Sequence, residues 1–445
     1  MNTVKKLQAL LPDSATFSPE GVFHIAGYSI PELAQQYGTP LYIFDRATIV
    51  RACQEYTRAF REIYHASESL ILYASKAYLA PLIARLVAEQ GMGLDVVSGG
   101  ELLLAQRVNF PMSRVSFHGN NKSEEELRLA LRAGVGRIVL DNESELERLT
   151  LLARANGMRP GVLVRVAPEV ETDTHQYLQT GHASSKFGFH LGNGEARAVL
   201  LRILREDHLD LLGLHAHTGT MLREARPYAE CLERLLALST DIYHETGWWP
   251  REVSPGGGWA IDTPEAERTP GINVLAATLQ ESMQRGLAAV GAPVMAPRLI
   301  IEPGRSIIAR SAVAIYRIGA RKATPGGITY LFVDGGMADN IRPALYGALY
   351  TAFPVERPQE APQEIVCVSG RYCESGDILI SEIALPRMRA GDLLALPTAG
   401  AYCLPMASNY NLVPRPAVIL IDDRQIQLME RRETEEDLLA RYNFG

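Results

Sequence analysis

Six apolar runs in this 445-residue sequence lead into residues able to do acid–base or nucleophilic chemistry. Lys76 follows LILYAS (70–75). A lysine just past an apolar strand faces a partly dehydrated surface, where desolvation lowers its pKa and frees the amine for Schiff-base formation. Alone, such a lysine is more often an ordinary loop residue. Asp95 lies inside GLDVVS (93–98), ahead of Gly99, Gly100 and Glu101. A carboxylate there needs a charged or hydrogen-bonded partner, unless it serves only as a cap or turn. Arg165 sits between valines in GVLVRV (161–166). A buried arginine is almost never unpaired, so it is expected to meet an acid or a cofactor.

LLGLHA (211–216) runs into His217-Thr218-Gly219-Thr220. If the strand persists, alternation puts His215 and His217 on one face, as a metal pair or as an imidazole laid against a flat ligand. Gly219 and Thr220 would then offer close backbone approach and a hydroxyl; a satisfied core histidine is the plainer alternative. REVS (251–254) leads into Pro255-Gly256-Gly257-Gly258, whose unshielded N–H groups suit a phosphate, though such runs also form flexible loops. RLIIE (298–302) ends in Glu302-Pro303-Gly304-Arg305, an acid and an arginine across a Pro-Gly turn. They could serve a cationic ring nitrogen and an anion, or form a surface ion pair. A lysine, a glycine run, a histidine and an acid on one rim together describe a pyridoxal-phosphate site. The acid keeps the pyridine nitrogen protonated, which makes the ring an electron sink for the carbanion left by CO2 loss.

Two further runs, RVSFHG (114–119) and RIVLD (137–141), bring the strand-like segments between 70 and 305 to eight. Helix-like stretches such as 101–108, 143–156 and 225–245 separate them. Parallel strands need such long crossovers, and eight units match an α/β (β/α)8 TIM-type barrel, whose active sites lie at the C-terminal strand ends. A doubly wound open sheet is the rival. Beyond residue 305 strand-like runs continue with frequent Pro and Gly, which implies a mainly β C-terminal domain. The expected division is an N-terminal segment, 1–45, packing with the β domain, a cofactor-binding barrel, 46–305, and the β domain, 306–445.

Hydrophobic residues make up 47% and charged residues 21%, enough for a large core. The net charge of −7 argues against a nucleic-acid partner. No apolar run reaches the roughly 18–20 residues that cross a bilayer, so no membrane association is expected. The five cysteines (Cys53, Cys231, Cys367, Cys373, Cys403) are odd in number and lack metal-ligand spacing, which fits a reduced, cytoplasmic protein with no metal. The opening MNTVKKLQALLPDSATF has no secretory core or cleavage site and reads as a short amphipathic helix.

These motifs resemble the fold-type III pyridoxal-phosphate decarboxylases from Tyr37-Gly38-Thr39-Pro40 onward, and within them the members acting on meso-2,6-diaminopimelate. The resemblance implies an alanine-racemase-like barrel with pyridoxal 5'-phosphate on Lys76 and His217 stacked on the ring. It places Thr220, Gly256, Gly257 and Gly258 on the phosphate and Glu302 on the pyridine nitrogen. Asp95, Arg165, Gly304, Arg305 and Tyr402 complete the expected cofactor set. Thr174-His175-Gln176-Tyr177, Thr180-Gly181 and Ser185-Lys186-Phe187-Gly188 match the family's pattern between strands five and six.

Arg342-Pro343-Ala344-Leu345-Tyr346 resembles the family's motif for the distal end of the substrate, with Arg305 sharing a carboxylate. Cys373-Glu374-Ser375-Gly376-Asp377 resembles the segment supplied across a homodimer interface, with Cys373 as proton donor and Glu374 on the distal ammonium. Gly400-Ala401-Tyr402 matches a tyrosine that reaches phosphate and substrate. The implied reaction yields L-lysine and CO2, the last step of lysine biosynthesis. A second amino-acid head calls for cations and an anion together, here Arg305, Arg342 and Glu374, whereas an ornithine-type substrate would call for acids and no arginine pair.

The chain departs from the family at Tyr78, where Asn is frequent, at Thr220, where Ser is usual, and at Tyr350, where His is common. The rival readings are a decarboxylase of a related diamino acid or carboxylated polyamine, a metallohydrolase using Asp95, His215 and His217, and a binding protein that kept the fold. The last would be expected to have lost Lys76, Cys373 or the arginines.

Overall fold

The computed structural model describes residues 7–170, 185–264 and 268–444. Thr174, His175, Gln176, Tyr177, Thr180 and Gly181 lie outside the described residues, as do the first six residues of the expected N-terminal helix. The chain forms two compact units, one of Ala52–Ala260 and Thr269–Ser306, the other of Met1–Arg51, Ile261–Arg268 and Ile307–Gly445.

The first unit is a closed cylinder of eight parallel strands: β1 (Ser69–Ala74), β2 (Gly93–Val96), β3 (Val115–Phe117), β4 (Arg137–Leu140), β5 (Gly161–Ala167), β6 (Asp210–His215), β7 (Glu252–Gly256) and β8 (Arg298–Ile301). Each strand pairs with the next, and β8 closes on β1 through Leu299↔Ser69, Ile300↔Leu70 and Ile301↔Ile71. Closure excludes the open doubly wound sheet. The strands are nearly continuous apolar runs because both of their faces are covered. Leu72, Val139, Leu163 and Ile300 meet inside as one packed cluster.

At three crossovers a polar residue ends the strand's loop and starts the helix. The side chains of Ser98, Ser123 and Asn142 accept from the N–H groups of Glu101, Glu126 and Glu145, and Ser123 and Glu126 form a capping box. These caps define where the chain leaves the rim.

The opposite end is closed by charge. Arg137 and Glu252, the first residues of β4 and β7, form a buried bidentate pair at 2.5 and 2.6 Å, and Arg298 opens β8 with a contact at 3.4 Å to the same carboxylate.

The second unit is built on a mixed sheet. Leu41–Asp45 lies in its middle, antiparallel to Ala312–Ala323 and parallel to Ala417–Ile421. Ile43, Val313 and Ile419 pack there with Phe23, Ile25 and Phe353 in one core. Among the described residues, no helix is long and apolar enough to cross a membrane.

Removing one partner of a buried ion pair strands the other charge. Glu252→Ala is therefore expected to lower barrel stability by roughly 3–5 kcal/mol in urea unfolding. A loss below about 1 kcal/mol, the value of an exposed pair, would contradict a load on this contact.

Candidate active site

The strands end before the residues that carry the chemistry. β1 stops at Ala74, and Lys76 occupies a 3-10 turn, Ser75–Ala77, exposed between two buried neighbours. The turn is fixed from two sides: Ala74 N–H donates to the Pro303 carbonyl (2.9 Å), and Tyr73 donates to the Tyr78 carbonyl (2.7 Å). Gly304 lets the loop after β8 approach, since a Cβ there would lie 3.0 Å from the Ala74 Cβ. A second lysine, Lys122, is buried beyond β3 and donates to the carbonyls of Gly119 and Val139 (both 2.8 Å) and to Glu145 (2.5 Å). Its three protons match three acceptors, so its role is structural.

Glu302, the first residue past β8, is 6% exposed. His215 donates from Nε2 to its Oε2 (2.9 Å), and Ser254 Oγ lies 3.4 Å from Oε1. His118 brings its Nε2 to 3.4 Å from Oε1 and 3.6 Å from Asp95 Oδ1. The two imidazoles meet edge to face at 4.7 Å. Burial alone would raise the Glu302 carboxyl, but His215 and His118 outweigh it and hold the group well below the usual range. Burial lowers the His215 pKa against the pull of Glu302, so the acid is the anion and the imidazole a neutral donor. Arg165, in β5, faces Asp141 at 3.7 Å and lies over the Phe187 ring at 4.5 Å. It thus has the acidic partner expected of it.

β6 stops at His215, so His215 and His217 do not alternate along one strand. His217 Nδ1 accepts from Gly257 N–H (3.3 Å), which puts its proton on Nε2. Burial, with Lys76 and Arg165 nearby, holds its pKa well below normal, so the ring is neutral. The glycine run is sterically required. A Cβ at Gly256 (φ +86°) would lie 2.8 Å from His217 Nδ1, and one at Gly257 1.8 Å from the Glu302 carbonyl. Two of its amides act within the protein, since Gly256 N–H donates to Ser254 Oγ (3.1 Å) and Gly257 N–H to His217.

A flat, cationic ring with an anionic tail suits these residues. An acid held as an anion, a neutral imidazole and a side-chain-free loop share one rim. Asp95 Oδ1, His118 Nε2, Ser75 Oγ and Thr218 Oγ1 are buried there without a hydrogen-bond partner. Ligand atoms of His118, His215 and Glu302 also come within 4.8 Å of one another, a spacing that could hold a metal ion. That trio includes neither His217 nor Asp95, so the metallohydrolase grouping read from sequence is not assembled. His118 was not singled out in the sequence; its one signal is its place at the end of RVSFHG, equivalent to the other strand ends.

In the β unit, the Arg342 guanidinium lies 5.5 Å from the ring centres of both Tyr346 and Tyr402. Tyr402 has φ +63°, a left-handed conformation costly for a side chain of this size, which fixes its direction. Tyr350 contacts Cys403 through its hydroxyl (3.4 Å). Cys373 and Glu374 lie on an exposed loop, where Cys373 N–H donates to Asn411 Oδ1 (3.1 Å) and the Tyr410 hydroxyl approaches the Cys373 carbonyl (3.5 Å). The loop's base is buried Asp377, which accepts from Met337 N–H (2.7 Å) and Tyr372 N–H (2.8 Å).

Arg342 follows a buried acid, Asp339, which accepts from Tyr42 (3.0 Å), Tyr316 and Gly336 N–H (2.8 Å). Burial, only partly offset by these bonds, pushes its pKa up to about 6. The folded state then binds this proton more tightly than the unfolded chain. The associated stability is full below the ordinary aspartate pKa and is lost as pH rises through about 6. Between pH roughly 4 and 6 the wild type is expected to lose roughly 3 kcal/mol relative to Asp339→Asn, measured as parallel urea melts. Parallel curves for the two proteins would refute the shift.

The pyridoxal binding domain of the pyridoxal-dependent decarboxylases matches residues 46–309. Diaminopimelate decarboxylase of Bacillus subtilis is 39% identical over 419 residues, covering 94% of each chain. The enzyme of that name from Mycobacterium tuberculosis H37Rv is 40% identical over 440 residues, 96% of each. A crystal structure of the M. jannaschii diaminopimelate decarboxylase superposes with a TM-score of 0.90 at 31% identity, over 97% of this chain and 98% of that one. With the fold, the rim and these full-length similarities in agreement, the chain belongs to the pyridoxal-dependent decarboxylase family, on its diaminopimelate decarboxylase branch.

Proposed function

We propose that this protein decarboxylates meso-2,6-diaminopimelate at its D-configured carbon, giving L-lysine and CO2 as the last step of lysine biosynthesis. The near full-length similarity to diaminopimelate decarboxylases carries the choice of substrate. Bound pyridoxal phosphate supplies a protonated ring that takes up the electron pair left when CO2 departs.

The chain's own residues do the rest. Lys76, exposed on its turn, would hold the cofactor through its amine. Glu302, kept anionic by its histidines, would favour a proton on the cofactor's ring nitrogen. His217, neutral and fixed by Gly257, would help hold the cofactor ring. Thr220 and the glycine run take the phosphate, with Tyr402; Asp95, Arg165 and Gly304 shape the cofactor side. Arg305 and Arg342 pair with the distal carboxylate, Tyr346 supports Arg342, and Glu374 takes the distal ammonium. Cys373 Sγ delivers the proton that replaces CO2.

We further propose a homodimer in which Cys373 and Glu374 serve the second copy's site. Their exposed position supports this arrangement.

Cofactor-loaded protein is expected to release CO2 and L-lysine from meso-diaminopimelate, and not to decarboxylate ornithine, lysine or carboxynorspermidine at comparable rates. Preference for one of those three would overturn the substrate assignment. Lys76→Ala and Glu374→Ala should each be inactive alone. Mixed and allowed to exchange subunits, they should recover about a quarter of wild-type activity, because half of the dimers would hold one intact site. No recovery despite exchange would rule out shared sites.

A further inference from the structure

The Glu302 carboxylate presents two oxygens, and the barrel aims a ring nitrogen at each. His215 Nε2, at the end of β6, is hydrogen-bonded to Oε2 (2.9 Å). His118 Nε2, just past β3, lies 3.4 Å from Oε1 but forms no aligned hydrogen bond, although its side chain is only 6% exposed. The same nitrogen is 3.6 Å from Asp95 Oδ1, itself buried without a partner. A lone pair there would face two carboxylates, so the proton of His118 sits on Nε2. Among the described residues, groups whose charge acts on Glu302 or on the side chains beside it come from the other strand ends: Lys76 (β1), Asp95 (β2), Asp141 (β4), Arg165 (β5), His215 and His217 (β6). Ser254 of β7 adds a hydroxyl 3.4 Å from Oε1.

A proton shared between a ring nitrogen and a carboxylate rests on the stronger base. Burial strengthens a carboxylate as a base, and each donated hydrogen bond weakens it. With one donor the buried acid competes well for the proton; with two, the proton stays on the ring. Donor contacts that are long in an open site also tighten once the ligand completes it.

We propose that His118 is a positioning residue that donates to Glu302 Oε1 and, paired with His215 on Oε2, keeps the shared proton on the cofactor's ring nitrogen. The inference rests on the pyridoxal-phosphate reading of the site. Asp95, whose Oδ1 lies 3.6 Å from the same nitrogen, favours the Nε2–H tautomer.

The test uses holoenzyme loaded with ring-15N pyridoxal phosphate. The wild type should show a pyridinium-type 15N resonance. His118→Leu should move it toward neutral pyridine and lower kcat on the order of tenfold or more, with KM little changed. His118→Gln, whose amide can reach Oε1, should restore both. An unchanged resonance in His118→Leu would overturn the proposal. If that variant fails to fold, His118→Asn takes its place, since its shorter amide stops short of Glu302; equal resonances and kcat in the Asn and Gln variants would likewise overturn it. The resonance needs only bound cofactor, so it reads His118 whether or not diaminopimelate is the substrate.

Discussion

A carboxylate buried as an anion is costly unless several donors surround it, and Glu302 is such a group. Its neighbours come from β2, β3, β5, β6 and β7, and none adjoins it in sequence. In a flat sheet β3 and β6 would stand about 14 Å apart, three strand spacings. Their terminal histidines instead have ring centres 4.7 Å apart. Only a closed cylinder turns strands that are distant along the sheet toward one point. Closure through the β8–β1 ladder is therefore what makes the acid possible, and the acid in turn defines the chemistry of the rim.

The two ends of the barrel handle charge differently. At the N-terminal end Arg137 and Glu252 satisfy each other in a bidentate pair, a finished contact. At the C-terminal end Asp95 Oδ1, His118 Nε2 and Thr218 Oγ1 stay buried and unsatisfied. Unmet hydrogen-bonding capacity at one end and met capacity at the other is what a ligand-binding rim over a structural floor requires. The lysines of the first and third crossovers differ in the same sense: Lys122 is enclosed with three acceptors, whereas Lys76 stands exposed on its turn.

Much of the barrel was legible because its strands are apolar runs broken by capped helices. All eight expected runs contain a strand, but β2 and β3 stop two residues early, at Val96 and Phe117, and β6 one residue early, at His215. That leaves His118 beyond the ladder, and the sixth strand does not persist to His217 as alternation of the two histidines would require. His118 escaped notice because a lone histidine in RVSFHG gains meaning only from Asp95 and Glu302, which are distant in sequence. The glycine run was recognisable, but not that His217 and Ser254 occupy two of its amides. In the β unit, placing Leu41–Asp45 between Ala312–Ala323 and Ala417–Ile421 depends on non-local pairing that no local pattern encodes. The grouping of Arg342, Tyr346 and Tyr402 was accessible through family resemblance rather than through spacing.

We propose that the barrel presents Lys76, and not Lys122, as the amine that holds the cofactor. Borohydride reduction of cofactor-loaded protein, followed by peptide mass spectrometry, tests this directly. A pyridoxyl mass increment is expected on the peptide containing Lys76 and none on the peptide containing Lys122. A label on Lys122, or a loaded protein with no label on Lys76, would contradict it.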